Sequence, residues 1–459
     1  MNPKPITLIQ GGQLVLPDTV IAADLLIRGE KVAALGDFSG QTADRTYDAR
    51  GMLILPGGVD NHVHFNDSFM NTVSVHDFYT GTRAAAFGGT TTVVDFANQT
   101  SGGSLMEALG AKKEEARGAA LVDYGIHPCI TRADAATLAE IPQAVAAGAP
   151  TMKCYMTYRQ DGLMMTMEDL SHIQVVMKEA GGMLMVHAED DALLEKHIGA
   201  RLAAGQFQAY YHAASRPPEV EEQAIRNLIH MLGKVGGRLF IVHLASDQGL
   251  QQISRARAAG MDISAETCIH YLIFTRDVLR RDDGIKWICS PPLRGPAIQD
   301  ALWQGLADGR LALVSTDDAA FSWAAKLLGK ERFDQCPNGI PGIEVRLSLL
   351  YSQGVAQGRI SLPQLAELTA AAPARKFGMY PEKGTLLPGS DADLVLLDPE
   401  ASWTMGKDTL HMGADWSAYE NISVKGRIEK VFSRGELIID RGNCLAVRGR
   451  GRYLHRKLA

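Results

Sequence analysis

Eight short apolar runs, each followed by a longer stretch with helical spacing of its apolar residues, constrain this chain more than any other feature. They cover residues 53–59, 90–96, 121–127, 150–155, 182–187, 239–243, 261–266 and 311–316. Strands alternating with helices build a parallel sheet covered by helices. Eight such units predict a closed (β/α)8 TIM barrel of the α/β class. An open doubly wound sheet is the alternative, but no Gly-x-Gly-x-x-Gly loop follows an early strand.

The two ends have a different rhythm. Short strands are expected at residues 6–9, 13–16, 24–27 and 31–35, and again at 392–398, 427–433 and 436–440, separated by turn residues such as Gly11-Gly12, Gly29-Glu30 and Arg434-Gly435. The predicted layout is a small β-sandwich domain from residues 1–54 and 378–440, a barrel from 55–377, and a tail over 441–459. That tail carries six Arg or Lys and no acid, which suits either a solvated tail or a subunit contact.

Lys plus Arg is 46 against 52 for Asp plus Glu, a net charge of -6 that argues against a coat for nucleic acid or an anionic membrane. No apolar stretch is long enough to span a bilayer, and the first residues lack the order of a signal peptide. The six cysteines contain no Cys-x-x-Cys pair. The expectation is a soluble cytoplasmic enzyme whose partner is a small molecule.

In a barrel the active site lies where the strands end. The first run leads into Asp60-Asn61-His62-Val63-His64. The fourth contains Lys153-Cys154-Tyr155, the fifth ends at His187, the sixth at His243, and the eighth leads into Asp317-Asp318. His62 and His64 are two apart, so on a strand both rings share one face, about 6.5–7 Å apart. Either one alone is an ordinary polar residue; four histidines and an aspartate at matching strand ends are a zinc-type donor set. Lys153 is the odd member, because an ammonium repels metal ions and its setting is apolar. Addition of carbon dioxide to the neutral amine would turn it into a carbamate whose two oxygens bridge two metals.

These motifs resemble the hydantoinase and dihydropyrimidinase family of the amidohydrolase superfamily, and most of all its phenylhydantoinase type. The resemblance rests on Pro56-Gly57-Gly58-Val59-Asp60 with His62-Val63-His64, on Phe87-Gly88-Gly89-Thr90-Thr91, on Ser290-Pro291-Pro292-Leu293-Arg294, on Cys336-Pro337-Asn338-Gly339-Ile340-Pro341-Gly342, and on Leu387-Pro388-Gly389-Ser390-Asp391-Ala392-Asp393. It runs over nearly the whole chain. It implies that His62, His64 and Asp317 hold one zinc, His187 and His243 a second, with carbamylated Lys153 between them, two Zn2+ per subunit. It further implies that Asp317 moves the proton, that Tyr158 donates to the oxyanion, and that Ser290 and Asn338 grip the ring amide. Phe65, Phe69 and Tyr155 would face the ring's substituent, and Asp60 would stand behind the ligands. The activity implied is opening of 5-substituted hydantoins or dihydropyrimidines to N-carbamoyl amino acids, in a homotetramer or homodimer.

Two positions bear on alternatives. Asn66 stands where dihydroorotase-like relatives carry a carboxylate-clamping arginine, which argues against dihydroorotate and leaves allantoin open. Asp318 replaces the histidine that most hydantoinases place after the ligand aspartate. It either adds negative charge to the site or is a solvated loop residue. A non-catalytic scaffold is disfavoured because all six ligands are present, and a one-metal deaminase because Lys153 is present. Of the remaining histidines only His127, at a strand end, is a candidate support for the ligands.

Overall fold

The computed structural model describes residues 4–100 and 102–459; residues 1–3, on which part of the leader expectation rests, lie outside that range. Eight strands follow one another in parallel: β1 (Gly58–Val63), β2 (Thr90–Asn98), β3 (Asp123–Cys129), β4 (Thr151–Tyr155), β5 (Met183–His187), β6 (Arg238–Ile241), β7 (Asp262–Cys268) and β8 (Leu313–Ser315). The ring closes just beyond β8, where Val63 bridges Asp318 and the His64 N–H donates to the Asp318 carbonyl at 2.9 Å. The predicted barrel is therefore present, and its seam lies at three of the expected ligands.

The strands read as continuous apolar runs because helices cover one face and the packed barrel interior the other. Every residue of β1, β3, β4, β5 and β8 is buried. The helix Pro218–Val235 shows the complementary pattern. Val220, Ala224, Ile225, Leu228, Met231 and Leu232 form its buried stripe, Pro218 starts it, and Gly236 at φ 73° stops it. No helix among the described residues is long and apolar enough to cross a membrane.

The two ends meet in two sheets. Four strands run in the order Lys31–Gly36, Asp24–Arg28, Ile6–Gln10, Arg45–Asp48. Seven more include Leu53–Pro56, Leu394–Thr404, Ser423–Ser433 and Glu436–Asp440. Ile9, Leu14, Leu25, Ile27, Ile54, Leu394, Leu396 and Phe432 form one apolar cluster shared by both sheets.

Two expectations need correction. The run 53–59 is two strands: Leu53–Pro56 pairs with Leu394–Leu397 in the terminal sheet, and the barrel begins only at Gly58. Gly57 is the crossing point, where an added Cβ would meet Thr91 Oγ1 at 2.2 Å, so only glycine fits. The tail 441–459 is half-exposed but is anchored along the chain's own surface. Tyr453 bridges Tyr124, the Gly451 N–H donates to the Ala120 carbonyl at 2.9 Å, and buried Arg456 donates to Thr151 Oγ1 at 2.9 Å and to the Ile126 carbonyl at 2.5 Å. Arg456 is used on the chain's own barrel, where β4 starts, while Arg450 and Arg452 pair with Glu436 and Glu30.

Candidate metal centre

The strand ends bring the six expected ligands into one place. His62 Nε2 and His64 Nε2 lie 3.1 and 3.2 Å from Asp317 Oδ1, and one ligand atom from each of the three residues falls within a 4.8 Å cluster. Lys153 Nζ is 3.5 Å from His62 Nε2. The His187 and His243 rings are 4.5 Å apart between centroids, and His243 is 5.5 Å from His62. Two members of the group, His243 at φ 39° and Asp317 at φ 48°, hold the left-handed backbone that non-glycine residues avoid, as does Tyr158 at φ 65°. Such conformations cluster at sites where the surrounding structure over-determines them.

Carboxylates fix which nitrogen each ring presents. Glu266 Oε1 accepts from His62 Nδ1 at 2.5 Å, and Asp67 Oδ2 accepts from His64 Nδ1 at 2.9 Å. Glu189 Oε2 accepts from His187 Nε2 at 2.8 Å while also taking Arg216 Nη1 at 2.7 Å. A carboxylate can only accept, so in a neutral ring the opposite nitrogen carries no proton and can ligate; His64 would first have to give up the proton that Asp317 and Asp67 favour on it. His243 Nδ1 is buried with no partner among the described residues. Asp60 accepts from Thr316 Oγ1 at 2.7 Å and from the His62 N–H at 3.2 Å, the supporting place expected of it. His127 sits behind the same strand, between Thr151 Oγ1 at 2.6 Å and the Asn61 carbonyl at 3.1 Å.

The electrostatics suit a cation. Burial pushes the Lys153 amine below its ordinary value, towards the neutral form. Burial works to raise the Asp317 carboxyl, but the His62 ring beside it, with His64 and His243, overrides this and holds it well below the usual carboxylate range. Burial opposes a charge on His64 as well, yet hydrogen bonds to Asp317 and Asp67 lift it to about 9.

Above the cluster is a cavity that opens to solvent. His64, Lys153, His187, His243 and Asp317 contribute to its lining, as do Tyr155, Tyr158, Ser290, Asn338 and Phe69. The Phe69 ring meets Tyr158 edge-on at 4.9 Å. Phe65 does not reach the cavity. It is fully buried against Phe78, 5.6 Å away, in the turn that follows β1. Asn66 is exposed and lies outside the cavity lining too.

Asp318 fits neither expectation made for it. It is completely buried and does not line the cavity. Its Oδ1 accepts the N–H groups of Gly342 and Ile343 at 2.7 and 3.0 Å, and its Oδ2 accepts from His76 Nδ1 at 2.7 Å. His76 Nε2 in turn accepts the Gly413 N–H at 2.9 Å. Asp318→Asn turns an acceptor into a donor facing either His76 or these amides, and should cost about 1–3 kcal/mol. A lowered melting temperature is expected; a melting curve superimposable on that of the parent would contradict the pairing.

Several residues of the site carry no sequence signal that singles them out. Leu163 and Phe321 add apolar wall to the cavity. Asp67, Glu189 and Glu266 each brace a histidine, and of these Glu189 alone, two residues after His187, repeats the spacing of His62 and His64. Glu266→Gln should weaken divalent metal binding by about 10–100-fold, measured by titration of metal into stripped protein. Unchanged affinity would show that the His62 ring needs no brace.

Comparison with known proteins agrees with this geometry. The amidohydrolase family model matches residues 53–438. A D-phenylhydantoinase of Escherichia coli O1:K1 is 41% identical over 456 residues, covering 98% of each chain. The crystal structure of dihydropyrimidinase from Brevibacillus agri NCHU1002 superposes with a TM-score of 0.96 at 38% identity, covering 99% of both chains. L-hydantoinase from Arthrobacter aurescens gives 0.90 at 28% identity, over 97% of this chain and 99% of that one. A barrel that closes on His62, His64 and Asp317, matched end to end by these relatives, makes this chain a member of the amidohydrolase family.

Proposed function

We propose that this chain hydrolyses one amide bond of a cyclic ureide, a 5-substituted hydantoin such as phenylhydantoin or a dihydropyrimidine, and releases the N-carbamoyl amino acid. The observation that carries this reading is a single cavity that joins the His–Asp–Lys cluster to Tyr158, Ser290 and Asn338. The relatives named hydantoinase and dihydropyrimidinase supply the substrate class.

His62, His64 and Asp317 would hold one zinc ion and His187 with His243 a second, joined through Lys153 as its carbamate. The braced rings, the clustered ligand atoms and the amine held towards its neutral form fit that pair. Two such ions, when bound, make water acidic enough to attack at neutral pH and polarise the amide carbonyl. Asp317 would accept the proton of the attacking water and pass it to the ring nitrogen as the C–N bond breaks, so the proton stays in balance through one side chain. Tyr158 would donate to the oxyanion, a contribution of about 2.7–4 kcal/mol for a well-aimed donor. Ser290 and Asn338 would hold the ring amide, and Phe69 and Tyr155, with Leu163 and Phe321, would receive the substituent.

All six cysteines are free thiols, which supports a reducing, cytoplasmic setting. Assembly into a dimer or tetramer belongs to the same proposal. The test is a panel of hydantoins, dihydropyrimidines and allantoin, scored on chiral carbamoyl products with metal content measured in the same sample. Allantoin turning over far faster than phenylhydantoin would replace this reading with allantoinase; metal-free, inactive protein would favour a scaffold.

A further inference from the structure

Lys326 ends the short helix Trp323–Lys326 and is completely buried. No carboxylate pairs with it among the described residues. Its Nζ donates instead to three backbone carbonyls: Ile288 at 3.0 Å, Pro337 at 2.9 Å and Gly339 at 3.1 Å. A buried ammonium without a counter-ion is costly, and an apolar residue would fill the space at lower cost. What the lysine adds is orientation. Its three protons draw three carbonyls to one point from two separate segments.

Those segments are the ones that carry Ser290 and Asn338. Ile288 precedes Ser290 by two residues, and Pro337 and Gly339 flank Asn338. A further bond, from the Gly339 N–H to the Ile288 carbonyl at 3.0 Å, ties the two together. A trans peptide is planar, so its N–H points opposite to its C=O. With the Pro337 carbonyl turned onto Lys326, the Asn338 N–H points away from it. That N–H has no acceptor among the described residues, and Asn338 and Gly339 both line the cavity. Asn338 is half-buried, and an N–H in a cavity wall with no protein acceptor is a donor open to a bound molecule.

We infer that Lys326 is a positioning residue for substrate: by clamping the 288–290 and 337–339 segments it aims the Asn338 N–H at a carbonyl of the cyclic amide. The inference rests on the proposed ring-opening activity and concerns how the ring is held, not how it is cleaved. It therefore predicts an effect on KM apart from kcat.

Steady-state kinetics on an unsubstituted ring, dihydrouracil or hydantoin, keeps the substituent out of the measurement. Lys326→Met should raise KM tenfold or more with kcat within about threefold and metal content unchanged. Lys326→Gln, which keeps two donors, should recover part of that loss. Asn338→Pro removes the N–H without touching Lys326, and compared with Asn338→Ala it should raise KM by a similar factor, so the idea is tested even if the lysine variants do not fold. A KM within twofold of the parent in a folded Lys326 variant, or equal KM values for the proline and alanine variants, overturns the inference. A merely structural lysine would lower the melting temperature and leave KM where it was. If the parent enzyme opens no cyclic amide at all, the functional reading fails first and this inference falls with it; an active parent with unmoved KM values sinks the inference alone.

Discussion

Lys153→Ala should lower kcat by about a thousandfold or more, equivalent to at least about 4 kcal/mol of barrier. The loss should come with loss of bound metal. Lys153 sits on β4 with 1% exposure, 4.8 Å from the centres of the Phe96 and Tyr155 rings, and no carboxylate lies within ion-pair distance of it among the described residues. An ammonium there would face His62, His187 and His243, and the nearby Asp317 and Glu266 do not outweigh its burial. A neutral amine is what carbon dioxide needs for carbamate formation, and the anion so made would offset part of the charge of two divalent ions. Short carboxylic acids such as acetate or propionate bring two oxygens into the space the side chain leaves. They should restore part of the activity and part of the metal binding to the alanine variant, and should do nothing for a variant altered elsewhere. Full activity and two metals per chain in Lys153→Ala would remove the bridge from the proposal.

Much of this site is legible from the strand ends alone. His62, His187, His243 and Asp317 stand where apolar runs stop, and one rule about barrels places them together. Lys153 stands out because a charge in an apolar run demands an explanation. Phe65 misleads because the turn after β1 carries its ring into the core against Phe78, a path that residue type does not reveal. The run 53–59 misleads because its composition is uniform while Pro56-Gly57 changes sheets. Glu266 is harder still. It lies 204 positions from His62, and only the closed ring brings the two within 2.5 Å. Asp318 looks like a change in the chemistry of the site, but its partner His76 is 242 positions away on the other side of the seam, so residue type alone gives the wrong environment. Lys326 is illegible for a different reason: its partners are backbone carbonyls, which have no residue type. What sequence conveys well is periodicity and the residues at the ends of periods. Contacts made by carbonyls, or by carboxylates to residues hundreds of positions away, appear only once the barrel has closed.

Asp317→Asn should separate proton transfer from substrate binding. Asparagine keeps the shape of the side chain and one oxygen, so the contact within the His62–His64 cluster can persist, at 3.1 and 3.2 Å in the parent. What it loses is a base. The parent carboxyl is held well below the usual range by His62 and its neighbours, so it is ionised at neutral pH and able to take a proton from water. General acid–base catalysis contributes about 10²–10⁴-fold, and here one group would serve both the attack and the departure of the ring nitrogen. The expected result is therefore a fall in kcat of at least about a thousandfold, with KM for the ring within about fivefold of the parent, because Tyr158, Ser290 and Asn338 are untouched. Metal content must be measured alongside, since loss of an ion would lower kcat without reporting on the proton. With metal retained, a kcat within tenfold of the parent would mean that another group carries the proton. Glu266 and Asp67 are engaged with the Nδ1 atoms of His62 and His64, whereas Asp317 lines the cavity and meets the Nε2 atoms of both rings.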